Sequence, residues 1–364
     1  MNLASHALPY IRSISPYLPG KPITQLSREM GISPEKIIKL ASNENPLGMS
    51  PLARQAIDAA LAGAERYPDQ FELIGALAER HGVAAEQIVL GNGSNDLLDL
   101  VARVFLSAGR SSVVAEYAFA IYALVTEITG AKTIIAPARH YGHDPATMLA
   151  AIRPDTRVLW IANPNNPTGT FLPYAELRAF IERIPPHVVV VLDEAYTEYL
   201  LPAERVDSIA WIRDFPNLVV TRTFSKIYGL AGLRVGYAVA QTEVADLMNR
   251  VRQPFNVGNL GLAAALAALD DHLFLAESYT LNRQGMEQLI SGVKHLGVEH
   301  IPSHGNFITV AVADGAAINQ RLLKDGVIVR PLGGYGMPDH LRVTIGLEAE
   351  NQRFLLALEK ALCA

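Results

Sequence analysis

The chain has 364 residues, of which 50% are hydrophobic and 18% are charged, a balance typical of a globular protein with a large core. A formal net charge of -5 and the lack of any lysine and arginine block argue against nucleic acid as a partner. The single cysteine, Cys363, argues against disulfides and cysteine-based metal sites and fits a reducing, cytoplasmic location. No apolar run reaches the length of a membrane span, so we expect no membrane partner.

The first 42 residues are rich in proline and contain one short predicted helix, over 23–30. Such a segment is too irregular to form a domain by itself, so we expect an arm that packs on another part of the molecule. Ser50 and Pro51 form an N-cap and N1 pattern that opens a helix, and a second helix is predicted over 73–80.

From residue 87 the pattern changes to short β-branched runs, with amphipathic segments predicted as helices at 96–105 and 174–184. Strands that alternate with helices predict an α/β fold with a mostly parallel, seven-stranded sheet covered on both faces. Ligands of such sheets bind at the carboxyl ends of the strands. The predicted strands are 88–90, 112–115, 133–136, 158–162, 188–192, 218–221 and 235–239.

Beyond residue 257 the pattern changes again, to long helices followed by separate strands. We therefore expect an arm at 1–42, a large domain at 43–257 and a smaller α+β domain at 258–364. The helices predicted in the smaller domain are 260–269, 272–296, 316–324 and 348–362, and its strands are 307–312, 327–330 and 341–345.

Lys226 lies within the apolar and hydroxyl-rich segment 221–236, where an unpaired ammonium group is costly to bury. One explanation is chemical, because a lysine with a lowered pKa forms a Schiff base with an aldehyde cofactor. The other is a salt bridge or a side chain that reaches out of a loop, which is the commoner case for a single lysine. The residues around Lys226 must decide between the two.

Asp193 follows the run 188–192, which is apolar at every position, as expected of a central strand. One interpretation is that Asp193 caps the next element or pairs with an arginine. The other is that it lies beside Lys226 at the mouth of the sheet. There it would keep the pyridine nitrogen of pyridoxal phosphate protonated, so that the ring takes up the electrons of a substrate carbanion.

Two turns add further candidates. In the segment 163–169, asparagines lie between prolines, a pattern typical of a turn. The alternative is that this rigid turn aims an asparagine amide at a cofactor. The segment 91–95 precedes a predicted helix and would offer free backbone N–H groups to a phosphate, although it is also an ordinary strand-to-helix turn. Its third glycine position is Asp96, so it is not a dinucleotide fingerprint. The histidines lack helical zinc-site spacing, so we expect no metal.

Four spaced motifs together resemble those of the fold type I aminotransferases and cover essentially the whole chain. Segments 43–48 (NENPLG) and 66–68 (RYP) are similar to the histidinol-phosphate branch of that family. The four motifs are NNPTG at 165–169, DEAY at 193–196, SKIYGLAGLRVG at 225–236 and LRVTIG at 341–346.

The resemblance implies a pyridoxal 5'-phosphate site. Lys226 would bond to the cofactor's aldehyde as an imine and later move a proton between the substrate's Cα and the cofactor. Asp193 would face the pyridine nitrogen, and Tyr196 and Asn166 would face the phenolic oxygen, where hydrogen bonds lower the pKa of the imine. Phe119 matches the position that stacks on the ring, where many relatives carry tyrosine or tryptophan, and plain core packing is the alternative.

The resemblance also implies a homodimer, with Tyr67 reaching the cofactor phosphate from a second subunit. The remaining phosphate-binding residues would be Ser94, Asn95, Thr223, Ser225 and Arg234.

For the substrate, Arg342 matches the arginine that binds an α-carboxylate with a bidentate fork. Histidinol phosphate has no carboxylate, so Arg342 would serve glutamate in one half-reaction. Arg330 and Tyr17 match positions near the substrate's phosphate end, or are ordinary surface and arm residues. Asn45 and Asn306 are pocket candidates.

The activity implied is the reversible, ping-pong exchange of an amino group between histidinol phosphate and 2-oxoglutarate in histidine biosynthesis. Three alternatives stay open: an aromatic amino-acid or phenylpyruvate aminotransferase, a threonine-phosphate decarboxylase, and a cofactor-binding regulatory domain without catalysis.

Overall fold

The computed structural model describes residues 3–17 and 19–363. Its helices are α1 (Pro9–Ser13), α2 (Ile23–Met30), α3 (Pro51–Ala60), α4 (Phe71–His81), α5 (Ser94–Phe105), α6 (Ala120–Ile128), α7 (Pro145–Ala150), α8 (Tyr174–Ile181), α9 (Thr242–Val251), α10 (Asn259–Leu269), α11 (His272–His295), α12 (Gly315–Lys324) and α13 (Glu348–Leu362). Its strands are β1 (Ile38–Lys39), β2 (Ile88–Asn92), β3 (Ser111–Ala115), β4 (Lys132–Ala136), β5 (Thr156–Ala162), β6 (Val189–Asp193), β7 (Leu218–Thr223), β8 (Val235–Val239), β9 (His300–Ile301), β10 (Phe307–Ala311), β11 (Val327–Ile328), β12 (Arg330–Pro331) and β13 (His340–Thr344).

A seven-stranded sheet in the order β2-β8-β7-β6-β5-β3-β4 forms the centre of the molecule. Strands β3 to β7 run parallel, whereas β8 is antiparallel to both of its neighbours. The expected mostly parallel sheet of seven strands is thereby confirmed. In β6 every residue is buried, because helices cover both faces of the sheet. Register places Asp193 at the end of β6 between Ala162 of β5 and Thr221 of β7.

A smaller antiparallel sheet, β12-β13-β10-β9, packs against α11, α12 and α13 around a second core. The strand predicted over 327–330 divides in two. Val327 and Ile328 form β11, which pairs with β1, whereas Arg330 and Pro331 form β12 in the small sheet. This division has a consequence for the site, because it places Arg330 directly opposite Arg342 on β13.

The N-terminal arm is fixed to the small sheet's side of the molecule. Strand β1 pairs in parallel with β11, and Leu26 of α2 joins a small core with Leu323 and Ile328. Residues 41–45 continue from β1 across the opening between the two sheets, which brings their backbone to the site described below.

Helix α10 packs into the core of the large sheet through Leu262, Ala265 and Ala268. It belongs to the segment assigned to the smaller domain, so its packing favours a boundary later than residue 257, and the boundaries themselves stay predictions. Within the described ranges no single helix is long and apolar enough to cross a membrane. Helices α10 and α11 meet that test only as a pair bent by 81°.

Candidate active site

A cavity of about 280 Å³ lies at the carboxyl ends of β5, β6 and β7, facing the small sheet and the arm. It brings together most of the residues predicted from separate motifs. Those that line it are Tyr17, Ser94, Asn95, Phe119, Asn166, Asp193, Tyr196, Thr223, Ser225, Lys226, Arg234, Arg330 and Arg342.

Lys226 follows β7 in a tight turn that ends at Gly229, whose φ of 71° and close approach to the Gly48 carbonyl leave no room for a side chain. The Lys226 ammonium donates to the carbonyl oxygen of Ser42 at 3.2 Å. Burial, with the positive charge of Arg342 as the next cause, lowers the pKa of Lys226 to about 8. The ammonium group also lies 5.7 Å from the centroid of the Tyr196 ring. Neither partner is a carboxylate, and no ion pair of Lys226 is found among the described residues, so the salt-bridge explanation does not fit.

Asp193 is buried and accepts hydrogen bonds from the hydroxyl groups of Tyr122, at 2.8 Å, and Thr221, at 3.1 Å. Burial raises the pKa of Asp193 to about 6, although these two hydrogen bonds act in the opposite direction. The nearby Arg222 pairs instead with Glu194, donating to its Oε2 from Nε at 3.0 Å and from Nη2 at 2.8 Å. Asp193 therefore faces the cavity without an arginine partner among residues 3–17 and 19–363.

Tyr122 and Asn43 line the cavity but were not among the residues predicted from the sequence. Tyr122 lies three residues after Phe119, so helical spacing could have indicated that both face the same way. Asn43 donates from Nδ2 to the Tyr196 hydroxyl at 2.9 Å and has a φ of 55°, a conformation that asparagine tolerates well. Burial raises the pKa of Tyr196 to about 12, so its hydroxyl stays protonated at neutral pH.

An anion cradle forms where β2 turns into α5. The first backbone N–H groups of a helix lack internal partners and attract anions. Gly93 has a φ of 73°, and a Cβ there would lie 2.0 Å from Nη2 of Arg234. Only glycine therefore lets this guanidinium lie against the turn. Arg234 also donates from Nη1 to the hydroxyl of Ser225 at 3.2 Å. The residues of the anion cradle are Ser94, Asn95, Thr223, Ser225 and Arg234.

A pair of arginines lies at another part of the cavity wall. Arg342 and Arg330 are directly opposite each other on β13 and β12, where like charges repel. Arg342 is buried; it donates to Asn166 Oδ1 at 2.6 Å and to the Ala41 carbonyl at 2.7 Å, while its Nε has no partner in the part of the chain that the structure describes. Burial is the main cause that lowers the pKa of Arg342, and the Arg330 charge adds to it. Such a pair favours binding of a carboxylate or phosphate.

Arg330 also lies over the ring of Tyr17, with its guanidinium carbon 5.5 Å from the ring centroid. This is a cation–π contact, so the arm residue Tyr17 closes one side of the arginine pair. The structure thus brings both residues predicted for the phosphate end of the substrate to one place.

Three predicted residues lie outside the cavity lining. Asn45 is buried and donates to the Ile227 carbonyl and to the Ser278 hydroxyl, both at 2.8 Å, so it braces the Lys226 turn. Asn306 donates to the Asn43 carbonyl at 3.0 Å and supports the Asn43 turn.

Tyr67 is the third, with 79% of its surface exposed. Its ring stacks on Phe255 with centroids 4.5 Å apart. Across residues 3–17 and 19–363, no group of three or more histidine, cysteine, aspartate or glutamate side chains is arranged to hold a metal ion.

Comparison with known proteins assigns this geometry to a family. The family model described as aminotransferase class I and II matches residues 35–358. The chain belongs to the class I and II aminotransferases. It is 71% identical over 362 residues to histidinol-phosphate aminotransferase 1 of Dechloromonas aromatica, with 100% of each protein covered. It is 59% identical over 365 residues to histidinol-phosphate aminotransferase 2 of Nitrosospira multiformis, covering 100% of this chain and 93% of that protein.

A solved structure also resembles this aminotransferase closely. The histidinol-phosphate aminotransferase of Sinorhizobium meliloti, crystallised in complex with pyridoxal-5'-phosphate, superimposes with a TM-score of 0.91. The two share 28% sequence identity, and the match covers 99% of this chain and 98% of the other. The similarity confirms the expected fold type I architecture.

We predict that Lys226 of this aminotransferase is acetylated at a lower pH than a lysine with the ordinary pKa of 10.5. The reason is that only the neutral amine is nucleophilic, and the pKa of Lys226 is lowered to about 8. Acetic anhydride labelling of Lys226, quantified by peptide mass at a series of pH values, should reach half its limiting rate near that pKa. Exposed Lys324 serves as the internal reference for reagent decay. A rate at Lys226 that still climbs steeply above pH ~10 would contradict the lowered pKa.

We also predict that Asp193 makes the ligand-free protein less stable as the pH rises. Its pKa is raised from 3.8 to about 6 on folding, so between these values the folded state holds more protons than the unfolded state. Stability is therefore lost as the pH rises through this window. The free energy of unfolding of Asp193→Asn relative to wild type should increase from pH ~4 to pH ~7 by on the order of 2–3 kcal/mol.

The measurement is urea unfolding of both proteins across that pH range. The exposed substitution Asp58→Asn, at a side chain with no hydrogen bond or ion pair among residues 3–17 and 19–363, is the control for replacing a carboxylate. A difference for Asp193→Asn that changes with pH no more than that of the control would show that Asp193 does not carry this pH dependence.

Proposed function

We propose that the chain transfers the amino group of histidinol phosphate to 2-oxoglutarate, giving imidazole acetol phosphate and glutamate, with pyridoxal 5'-phosphate as its cofactor. The observation that carries this proposal is the arginine pair, Arg330 opposite Arg342, in a cavity that also holds Lys226, Asp193 and the anion cradle. An anionic substrate group would relieve the repulsion of the pair. The names of the two relatives reported above support the choice of substrate.

The residues present fit the cofactor. At Gly93 a Cβ would collide with the Arg234 guanidinium, so this glycine lets the guanidinium lie beside the N-terminus of α5. The donors gathered there suit a phosphate group. When bound, pyridoxal phosphate supplies an aldehyde that takes up an amino group and a ring that accepts electrons released at the substrate's Cα. Ser94, Ser225 and Arg234 would hold the phosphate, and Phe119 would cover one face of the ring.

Lys226 would bond to the aldehyde through Nζ. Once the substrate amine displaces Lys226 from the aldehyde, the freed Nζ would move a proton to and from the substrate's Cα. A pKa of about 8 suits this task, because the amine gives and takes a proton readily near neutral pH. Asp193 would hold a proton on the ring nitrogen. Its two hydrogen bonds, from Tyr122 and Thr221, oppose the effect of burial and help to keep this carboxylate charged.

The arginine pair would serve the two substrates differently. Arg342 is the more buried, and its unpartnered Nε is available to the carboxylate of glutamate. Arg330, with Tyr17 beside it, would bind the phosphate of histidinol phosphate. Tyr196 and Asn166 would orient the cofactor's phenolic oxygen from within the same cavity.

We also propose a homodimer whose two subunits share their active sites. Exposed apolar side chains on α4, on α11, before α4 and between α9 and α10 support it, because burial of such a surface favours association. They include Tyr67, Phe71, Phe255 and Leu273, with 79%, 75%, 52% and 79% of their surfaces exposed. Tyr67 would reach the cofactor phosphate of the second copy. Sedimentation of the cofactor-loaded protein as a monomer at micromolar concentration would contradict this arrangement.

A cytoplasmic location is proposed from the single cysteine, Cys363, which is exposed and free. Recovery of the native protein from a secreted or membrane fraction would contradict it.

The substrate assignment predicts that Arg330→Ala weakens binding of histidinol phosphate by roughly 10- to 100-fold, because a charge-assisted contact to phosphate is lost. Binding of glutamate should change far less. The measurement is a single-turnover absorbance change of the cofactor with each substrate, and Arg250→Ala, an exposed substitution away from the cavity, is the control.

The same measurement on the wild type with phenylalanine separates the alternatives. Fast turnover with phenylalanine alone would identify an aromatic amino-acid aminotransferase and would contradict the proposed substrate. Equal losses for histidinol phosphate and glutamate in Arg330→Ala would remove Arg330 from the phosphate end. Release of carbon dioxide without a keto acid would indicate a decarboxylase.

A further inference from the structure

Residues 252–258 connect α9 to α10 and are called the connector here. They lie between the turn at 90–96, which carries Ser94 and Asn95 of the anion cradle, and the exposed segment around Tyr67. Asn256 lies within it and is partly buried, and both atoms of its amide group are fully used in hydrogen bonds.

On the cradle side, Asn256 donates from Nδ2 to the Leu90 carbonyl at 3.1 Å and to Asp96 Oδ2 at 2.7 Å. The same Asp96 oxygen accepts from the backbone N–H of Asn92 at 2.8 Å. Asn92 in turn donates from Nδ2 to the Asn256 carbonyl at 3.2 Å, and its own carbonyl accepts from Arg234 at 3.3 Å. A continuous chain of hydrogen bonds therefore links the connector, through Asp96 and Asn92, to the Arg234 guanidinium group of the anion cradle.

On the other side, the Asn256 Oδ1 accepts from Gln70 Nε2 at 3.2 Å. The preceding residue, Phe255, has a φ of 57°, a strained backbone conformation for a bulky side chain. This conformation presents its ring to Tyr67, with 4.5 Å between centroids and 21° between planes. Asn259, just after the connector, donates to the carbonyl of the residue before Tyr67 at 2.8 Å. The connector and the first residue of α10 thus hold the Tyr67 segment at three points.

We propose that Asn256 is a positioning residue that fixes the anion cradle and Tyr67 in one geometry and thereby sets the phosphate affinity of the site. Asn256 is hydrogen-bonded on one side to the Asp96 carboxylate that orients the Asn92 backbone, and on the other to Gln70, near Tyr67. Strained backbone persists only where surrounding contacts hold it, and Asn256 supplies those contacts for Phe255. The proposal rests on the proposed binding of pyridoxal phosphate.

The test compares two aldehydes, pyridoxal phosphate and pyridoxal, which differ only in the phosphate group. Each is titrated into the full-length chain after removal of bound cofactor, and the dissociation constant is read from the new absorbance band. Asn256→Ala should lower the preference for the phosphorylated form by roughly tenfold or more, since several hydrogen bonds of the cradle support are lost. The affinity for pyridoxal should stay within about twofold, because Lys226 is unchanged.

Asn249→Ala is the matched control. Asn249 is an exposed asparagine that accepts a hydrogen bond from Arg252 Nε at 3.0 Å, and Arg252 also donates to Asn256 at 2.9 Å. This control removes the contact of Arg252 with Asn249 but leaves the hydrogen bonds of Asn256 to the turn at 90–96 in place. The preference for pyridoxal phosphate should therefore stay at the wild-type value.

A second pair of variants tests the same contact by rescue. Asn256→Asp places a carboxylate against Asp96 and should also lower the phosphate preference, because like charges repel. Adding Asp96→Asn restores one amide and one carboxylate at this contact and should recover most of the preference. These variants also decide the question if Asn256→Ala fails to fold.

Equal loss of affinity for both aldehydes in Asn256→Ala, or no rescue in the double variant, would overturn the positioning role. A wild-type protein that shows no preference for the phosphorylated aldehyde would instead overturn the proposed cofactor site, so the two failures are distinguishable.

Discussion

Positive charge held in the cavity with no carboxylate partner among the described residues is the constraint on which the site depends. The Lys226 ammonium is hydrogen-bonded to a backbone carbonyl, and buried Arg342 is bonded to an amide and a carbonyl. Neutral oxygens replace only part of the hydration that such charges lose, and Arg330 adds a like charge opposite Arg342. Because anions that bind only the folded chain stabilise it, this cavity gains from phosphate and carboxylate ligands.

The architecture explains how these charges come together. The parallel strands end at one edge of the large sheet, which places Asp193 and Lys226 in the same cavity. The small sheet adds the arginine pair from strands that meet only because the segment after Val329 turns into a new strand. The arm then crosses the opening and supplies the carbonyl groups of Ala41 and Ser42. Large sheet, small sheet and arm each provide a part that the others lack.

Much of the fold and of the site could be predicted from the sequence. Apolar runs and helical spacing located the strands of the large sheet, and the motifs that follow them located Lys226 and Asp193. Tyr122 and Asn43 were missed because their roles come from contacts with residues distant in the sequence, Asp193 and Tyr196. The packing of α10 on the large sheet was missed for a similar reason, since an evenly apolar helix does not indicate which core it joins.

The most direct test of a chemical role for Lys226 is to reduce the cofactor-loaded protein with borohydride and to map the labelled peptide by mass. We expect one pyridoxyl group per chain, on Lys226, and none after preincubation with histidinol phosphate, which converts the cofactor to its amine form. In Lys226→Ala no chain should carry the label. A label on another lysine, or an unlabelled wild type that still turns over substrate, would contradict the proposal that this partly buried lysine bonds to the cofactor.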